Sequence, residues 1–498
     1  MELYMSTAAR TSVIVTFILY TVGMLIIGYI AKKRMDKSSV DKYVEDFYTG
    51  GRGMGALVVA LMIAAGMCSA GTFIGGPGMC YNIGFAFFMA GGAQVFINFQ
   101  ILGQLGKKMG IIARRINAQS FVDLLVSRYN KNKVIGVTSV LIIIIFFGSY
   151  VVSQFVGGAR LFESMTGLPY WLGLVMFGLV ILVTAAFGGI RGVSISIVVQ
   201  GLIMTIAVFT LFIGAFKVIG PIKPAMDKII TVKPEIANPF SFDMKMMISF
   251  WILMGFTCIA MPHGVMSTIT YRDTRAMHKA ILIGIFFVIV WGLPLSLIGI
   301  FGRSIYPDVA IPDQIIPIFT LQTLPPWLAG ITLAGVAGAI QSSVGAMIIV
   351  ISSTFVKNTY KAYINTNADN KKLKKVTLIS TIIICFLVFL FALNPPKSLQ
   401  YIILFAIGGM ASGFLWPILL GLYWMRTNEY GAAAGMISGV ITFAIGGLRP
   451  IVALGMHPIV VSLIVSGVLT VAVSLVTPKT PKGIILAWFA DKYPKEIV

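Results

Sequence analysis

The chain has 498 residues, 58% of them hydrophobic and only 11% charged, against about 25% charged in an ordinary soluble domain. A net charge of +21 would suit nucleic acid, but the basic residues fall between long apolar runs, as membrane loops do, and that excludes a nucleic-acid footprint. Cys68, Cys80, Cys258 and Cys385 have no paired spacing and stand in or beside apolar runs, so they read as packing residues rather than disulfides or zinc ligands.

Apolar runs long enough for a bilayer core of about 20 residues predict ~13 spans by hydropathy, near residues 12–31, 55–77, 83–105, 134–157, 169–187, 193–217, 246–268, 279–302, 327–353, 375–393, 399–424, 430–447 and 457–477. The first is too long for a signal-peptide core and lacks a small-residue cleavage site after it, so it reads as a retained span. Counting alternate loops puts 28 of the 38 Lys and Arg on one side, and five of the other ten lie in 217–245. The positive-inside bias then expects the N-terminus outside and the C-terminus in the cytoplasm. An odd number of spans agrees, since it sets the two termini on opposite sides. No soluble domain is expected, since the longest connections are 32–54, 106–133, 218–245, 303–326 and 354–374. The tail Gly483–Tyr493 mixes aromatic and apolar residues with Lys and Asp and is expected to lie as a short helix on the inner interface.

Two spans are interrupted. The second runs Leu57–Ala65, meets Gly66, Ser69, Gly71 and Thr72, and ends in Gly75-Gly76-Pro77-Gly78; the seventh runs Met247–Ala260 and meets Pro262-His263-Gly264. Each begins a set of five spans. Matching Gly/Pro-broken helices in two halves point to an inverted-repeat transporter with its site at the midplane, here 55–217 and 246–424 with 12–31 and 430–477 flanking. Broken backbone survives in a bilayer only where protein or a water-filled cavity satisfies it.

None of the 17 Asp and Glu lies in a span interior, and His263 is the one histidine near one. A buried proton relay, an acid pair or a metal-binding enzyme site therefore has no obvious carrier. Sodium needs no carboxylate; carbonyl and hydroxyl oxygens suffice. The interrupted stretch Ala65–Ser69 and the pair Ser342-Ser343 are the segments able to supply them. The serines equally suit back-bonding to their own helix. The half-helix restarting after Gly66 would turn free N–H groups toward an anion, with Ser69 and Thr72 on its first turn as donors or as caps.

The stretch DFYTGGRGMGALVVALMIAAGMCSAGTFIGGPGMCYNIG (Asp46–Gly84), FGGIRGVSISIVVQG (Phe187–Gly201) and GVAGAIQSSVGAMIIVISSTFVKNTY (Gly335–Tyr360) resemble the signatures of the sodium:solute symporter family. The likeness runs from about residue 13 to 477 and is nearest to the sodium/pantothenate symporters, carried by Leu105–Tyr129, Gly157–Tyr170, Met261–Ala280, Ile311–Ile331, Phe414–Trp424 and Gly455–Leu463. The resemblance implies an all-α polytopic fold of the LeuT type, with two inverted five-helix repeats, flanking helices and alternating access. It implies a sodium site made by backbone oxygens of Ala65, Cys68 and Ala339 with the hydroxyls of Ser342 and Ser343. It also implies a substrate site beside Ser69 and Thr72, facing the sixth, seventh and eleventh spans, with His263, Trp251 and Gln154 as further candidates.

Two departures stand out. The second signature usually carries Asp where this chain has Ile197, which bears on ion release and stoichiometry rather than on the site's ligands. The third usually reads Met-Ser-Thr before an Asp or Asn, where Gln341-Ser342-Ser343 here precedes Val344-Gly345. Met67 replaces an acid of the proline-type members. The expected partners are a sodium ion, a small anionic, pantothenate-like solute and the bilayer, with no nucleic acid and no obligate protein partner. The alternatives are a symporter of another monocarboxylate, amino acid or sugar acid, or an uncoupled facilitator or channel; an enzyme is not expected.

Overall fold

A computed structural model describes residues 7–36, 39–394 and 399–489. Among them there is no β-strand; one isolated bridge pairs Met54 with Tyr271. Eleven helices are long and apolar enough to cross a membrane: α1 (Thr7–Met35), α4 (Phe85–Arg115), α5 (Lys133–Thr166), α6 (Tyr170–Phe187), α7 (Gly189–Ile219), α10 (Thr274–Gly302), α11 (Pro326–Ile364), α12 (Asn370–Ala392), α13 (Leu399–Tyr423), α14 (Glu429–Leu448) and α15 (Pro458–Val476). A bent pair, α2 (Ala56–Met67) and α3 (Gly71–Ile83), meets at 61° and makes a twelfth. The shorter α8 (Met244–Ala260) and the single turn α9 (Pro262–Ser267) stand where the seventh of the expected spans was read.

Helices dominate because each span must satisfy its backbone internally in lipid. The two breaks have different local causes. At the second, Met261 is extended (φ −76°, ψ 118°) and Pro262 opens the next turn, where its missing N–H costs nothing. At the first, the helix ends on Cys68 (φ −82°, ψ 86°), and no proline stands at the break.

α11 is the axis of the molecule. Every residue of its most apolar window is buried, and α1, α2, α5 and α7 pack around it. Its buried polar residue Gln341 accepts from Tyr20 of α1 (2.6 Å) and from Gln200 of α7 (3.3 Å), so three helices share one polar junction at membrane depth. The flanking pair α14 and α15 approaches through small residues, as membrane helices do. A Cβ on Gly435 would lie 1.8 Å from Thr470 Oγ1.

The long connections hold short helices, among them Val40–Thr49, Phe121–Arg128 and Ile222–Val232. The C-terminal helix Lys482–Phe489 buries Trp488 and Phe489. It packs on Phe121–Arg128 and on the end of α4, where Arg115 donates to the Ala487 carbonyl at 2.7 Å. Its apolar tip is thus packed against protein. Residues 490–493 of that expected helix lie outside the described residues.

Candidate functional site

The last turn of α2 leaves carbonyls without helical donors. Cys68 N–H donates to Ala64 O at 2.7 Å, but Ala65 O turns toward α11. Ser343 Oγ donates to it at 2.7 Å and Ser342 Oγ approaches at 3.4 Å. The same two hydroxyls reach Ala339 O at 3.0 and 2.9 Å. Four oxygens from two helices therefore converge: carbonyls of Ala65 and Ala339, hydroxyls of Ser342 and Ser343. Both serines and both alanines are buried. Back-bonding to Ala339 is part of this geometry, so the two readings of the serines describe the same atoms. A hydroxyl has lone pairs as well as a proton, so each can turn from donating to a carbonyl to accepting a cation. Cys68 is buried beside this cluster on the chain, two residues past Gly66.

Beside the first break lies a cavity of about 320 Å³, lined mainly by α3, α4, α8, α10 and α13, with Tyr150 of α5. Ser69, Thr72 and Met67 line it. Ser69 Oγ shares a 3.3 Å hydrogen bond with Tyr150 OH. No Lys, Arg, His, Asp or Glu is among the lining residues. The polar groups are hydroxyls and one amide, Gln94, set among Phe87, Leu253, Ile403 and similar apolar residues. Such a wall suits a small solute with an apolar body and a few polar groups.

The remaining sequence-derived candidates occupy other places. Gln154 is fully buried and its Oε1 accepts from Ala70 N–H at 3.0 Å. His263 is 3% exposed, and its Nε2 bonds Gly66 O at 3.2 Å. Neither lines the cavity. Trp251 is 41% exposed on the outside of α8, with its indole N–H on Met89 O at 3.1 Å. Of the spans expected to face the solute, the seventh and eleventh supply lining residues. The sixth, within α7, supplies none, and its polar Gln200 bonds Tyr20 and Gln341 instead. The third and eighth spans take that place.

Sequence reasoning did not single out Tyr150, Gln94, Thr257 or Ser296, which also line the cavity. Tyr150 had a usable signal. It stands four residues before Gln154 in a span without charged residues, so both polar groups share one helix face.

The sodium:solute symporter family profile matches residues 47–439. A sodium/pantothenate symporter of Escherichia coli is 35% identical over 455 residues, covering 90% of this chain and 94% of that one. Its counterpart in Haemophilus influenzae is 33% identical over 456 residues, with 91% and 93% covered. Among solved structures, a Na+-coupled sialic acid symporter in a substrate-bound outward-open state aligns with a TM-score of 0.78 at 17% identity, over 95% of this chain and 99% of that one. That likeness shows the fold: an all-α, LeuT-type transporter architecture with flanking helices.

Proposed function

The chain belongs to the sodium:solute symporter family, and on that footing we propose that it takes up pantothenate, driven by sodium, through alternating access. It is a multi-pass membrane protein, and since its relatives are symporters of bacteria we infer that it sits in the cell membrane. We infer that the N-terminus lies outside and the C-terminus in the cytoplasm, from the 28 of 38 basic residues on one side. The repeats we infer are 55–217 and 246–424, each opening with a broken span.

One observation carries the ion reading: the buried convergence of Ala65 O, Ala339 O, Ser342 Oγ and Ser343 Oγ across α2 and α11. Sodium bound among them, with the Cys68 carbonyl completing the set, would tie the broken span to the unbroken axis. A ligand shifts a conformational equilibrium only by its differential affinity for the two states, and this cluster exists only while α2 and α11 are apposed. Sodium therefore favours the apposed conformation, and we infer that this is the one that presents Ser69 and Thr72 to solute from outside.

Pantothenate is a carboxylate with hydroxyls, an amide and a dimethyl carbon. The hydroxyl-lined, charge-free cavity answers its polar groups and its apolar middle. Other small monocarboxylates share that chemistry in part.

Labelled pantothenate offered to proteoliposomes tests the proposal. Accumulation above the external concentration under an inward sodium gradient, lost when potassium replaces sodium, is expected. Equilibration without accumulation would make the protein a facilitator. No pantothenate entry by folded protein, with sodium-driven entry of another carboxylate, would replace the solute and keep the ion.

A further inference from the structure

An unbroken helix through the first break would have Ala70 N–H donating to Gly66 O, the i to i−4 bond of every α-helix. The break separates these two groups, and each has acquired a side chain. Gln154 Oε1 of α5 accepts from Ala70 N–H at 3.0 Å. His263 Nε2 of α9 meets Gly66 O at 3.2 Å. Since the carbonyl only accepts, a proton is assigned to Nε2; the buried Nδ1 has no partner among the described residues. The ring lies stacked on Phe147, centroids 5.3 Å apart and planes 18° apart. Glycine at position 66 admits it, for a Cβ there would stand 3.2 Å from His263 Cδ2.

We propose that Gln154 and His263 hold the first break open as a pair, each replacing one half of the hydrogen bond that the break removes, and thereby position the Ala65 carbonyl for the ion. Neither residue touches solute in this scheme; both are positioning residues. The inference rests on the sodium-site reading above.

Gly66 and Ala65 are consecutive, so the direction of one carbonyl constrains the other through the peptide plane between them. With His263 on Gly66 O and the serines on Ala65 O, the two carbonyls are pulled toward different helices. Loss of either surrogate leaves one buried backbone group unsatisfied. Loss of both frees Ala70 N–H and Gly66 O to rejoin each other, which relieves both deficits at once.

The pairing therefore predicts a specific non-additivity. In equilibrium binding of sodium-22 to purified protein without solute, His263→Leu and Gln154→Met are each expected to raise half-saturation about tenfold, the scale of one buried group left unpaired. The double variant is expected to bind sodium more weakly than either single one, because the rejoined turn closes the break, while its thermal stability falls by less than the sum of the two single losses. His263→Gln, whose amide nitrogen reaches the Nε2 position, is expected to restore affinity to within about threefold. His263→Asn, too short to reach, is expected to behave as His263→Leu and serves if that variant does not fold.

Thermal-stability losses that simply add in the double variant, or sodium binding there as tight as in the single variants, would overturn the pairing. So would unchanged sodium binding with a raised solute KM, which would make these residues solute ligands. The sodium-site reading is checked separately in the same assay by Ser342→Ala with Ser343→Ala: binding retained there would sink that reading, whatever His263 and Gln154 do.

Discussion

The two interruptions, at Cys68–Ala70 and at Met261, are unlike in cause. At the second, Pro262 follows an extended Met261 and opens the next turn; the interruption is written in the local chain. At the first, Cys68 to Ala70 carry no residue that forbids a helix. The break there is kept by groups far away in sequence: Gln154 on Ala70 N–H, His263 on Gly66 O, and Ser343 on Ala65 O. A break held by tertiary partners responds to whatever those partners bind, whereas one imposed by proline persists regardless. On the proposed reading the first break is accordingly the ion-sensitive one, and it borders the cavity through Ser69 and Thr72.

The sharpest way to break this contrast is at the oxygen cluster. Ser342→Ala with Ser343→Ala removes two of four converging oxygens and is expected to cost on the order of 100-fold in sodium half-saturation. Membrane insertion should be intact, and uptake measured against sodium concentration reads the effect. Retained sodium stimulation would mean that the first break is not the ion site. Next in size, Ser69→Ala removes the hydroxyl paired with Tyr150 and is expected to weaken solute uptake about tenfold, with a smaller change in sodium binding. An equal loss of both would make Ser69 a cap for α3 and nothing more.

Cavity shape gives a smaller effect. Gly292 lines the cavity, and a Cβ there meets nothing within 4 Å. Gly292→Ala is expected to raise KM for a solute that fills the cavity by about threefold, to spare smaller solutes, and not to lower thermal stability, since alanine suits a helix better. Competition between solutes of graded size would show it. Smallest of all, Pro262→Ala returns an N–H to a turn whose extended entry at Met261 is already set. Its expected effect on sodium half-saturation is less than about threefold. A loss as large as that of the serine variant would erase the distinction between the two breaks.

The sequence made the spans, the two interruptions and the serine pair readable, because apolar length, Gly/Pro punctuation and adjacent hydroxyls in an apolar run are local signals. Three features were not readable for physical reasons. The first break falls at Cys68–Ala70, overlapping the expected stretch Ala65–Ser69, and only its exact edges escaped the sequence; the Gly75-Gly76-Pro77-Gly78 cluster lies within α3. Glycine permits a break but does not locate one. Trp251 faces outward and Gln154 inward, and an apolar span offers no polar face to tell these apart, since lipid is as apolar as the protein core. His263 was legible as an unusual buried polar group, but its partner, the Gly66 carbonyl, lies 197 residues away. The cavity's walls were half legible for the same reason, as helix adjacency is a property of packing.

Reciprocity between ion and solute tests the central claim most directly. Sodium-22 binding to purified protein should be measured with and without pantothenate, and pantothenate binding with and without sodium. Symport through a shared conformational change requires each ligand to tighten the other by the same factor, typically about 5–150-fold. Equal factors above one are the expected result. Two ligands that bind independently, or a protein that binds pantothenate with no sodium site, would contradict the account.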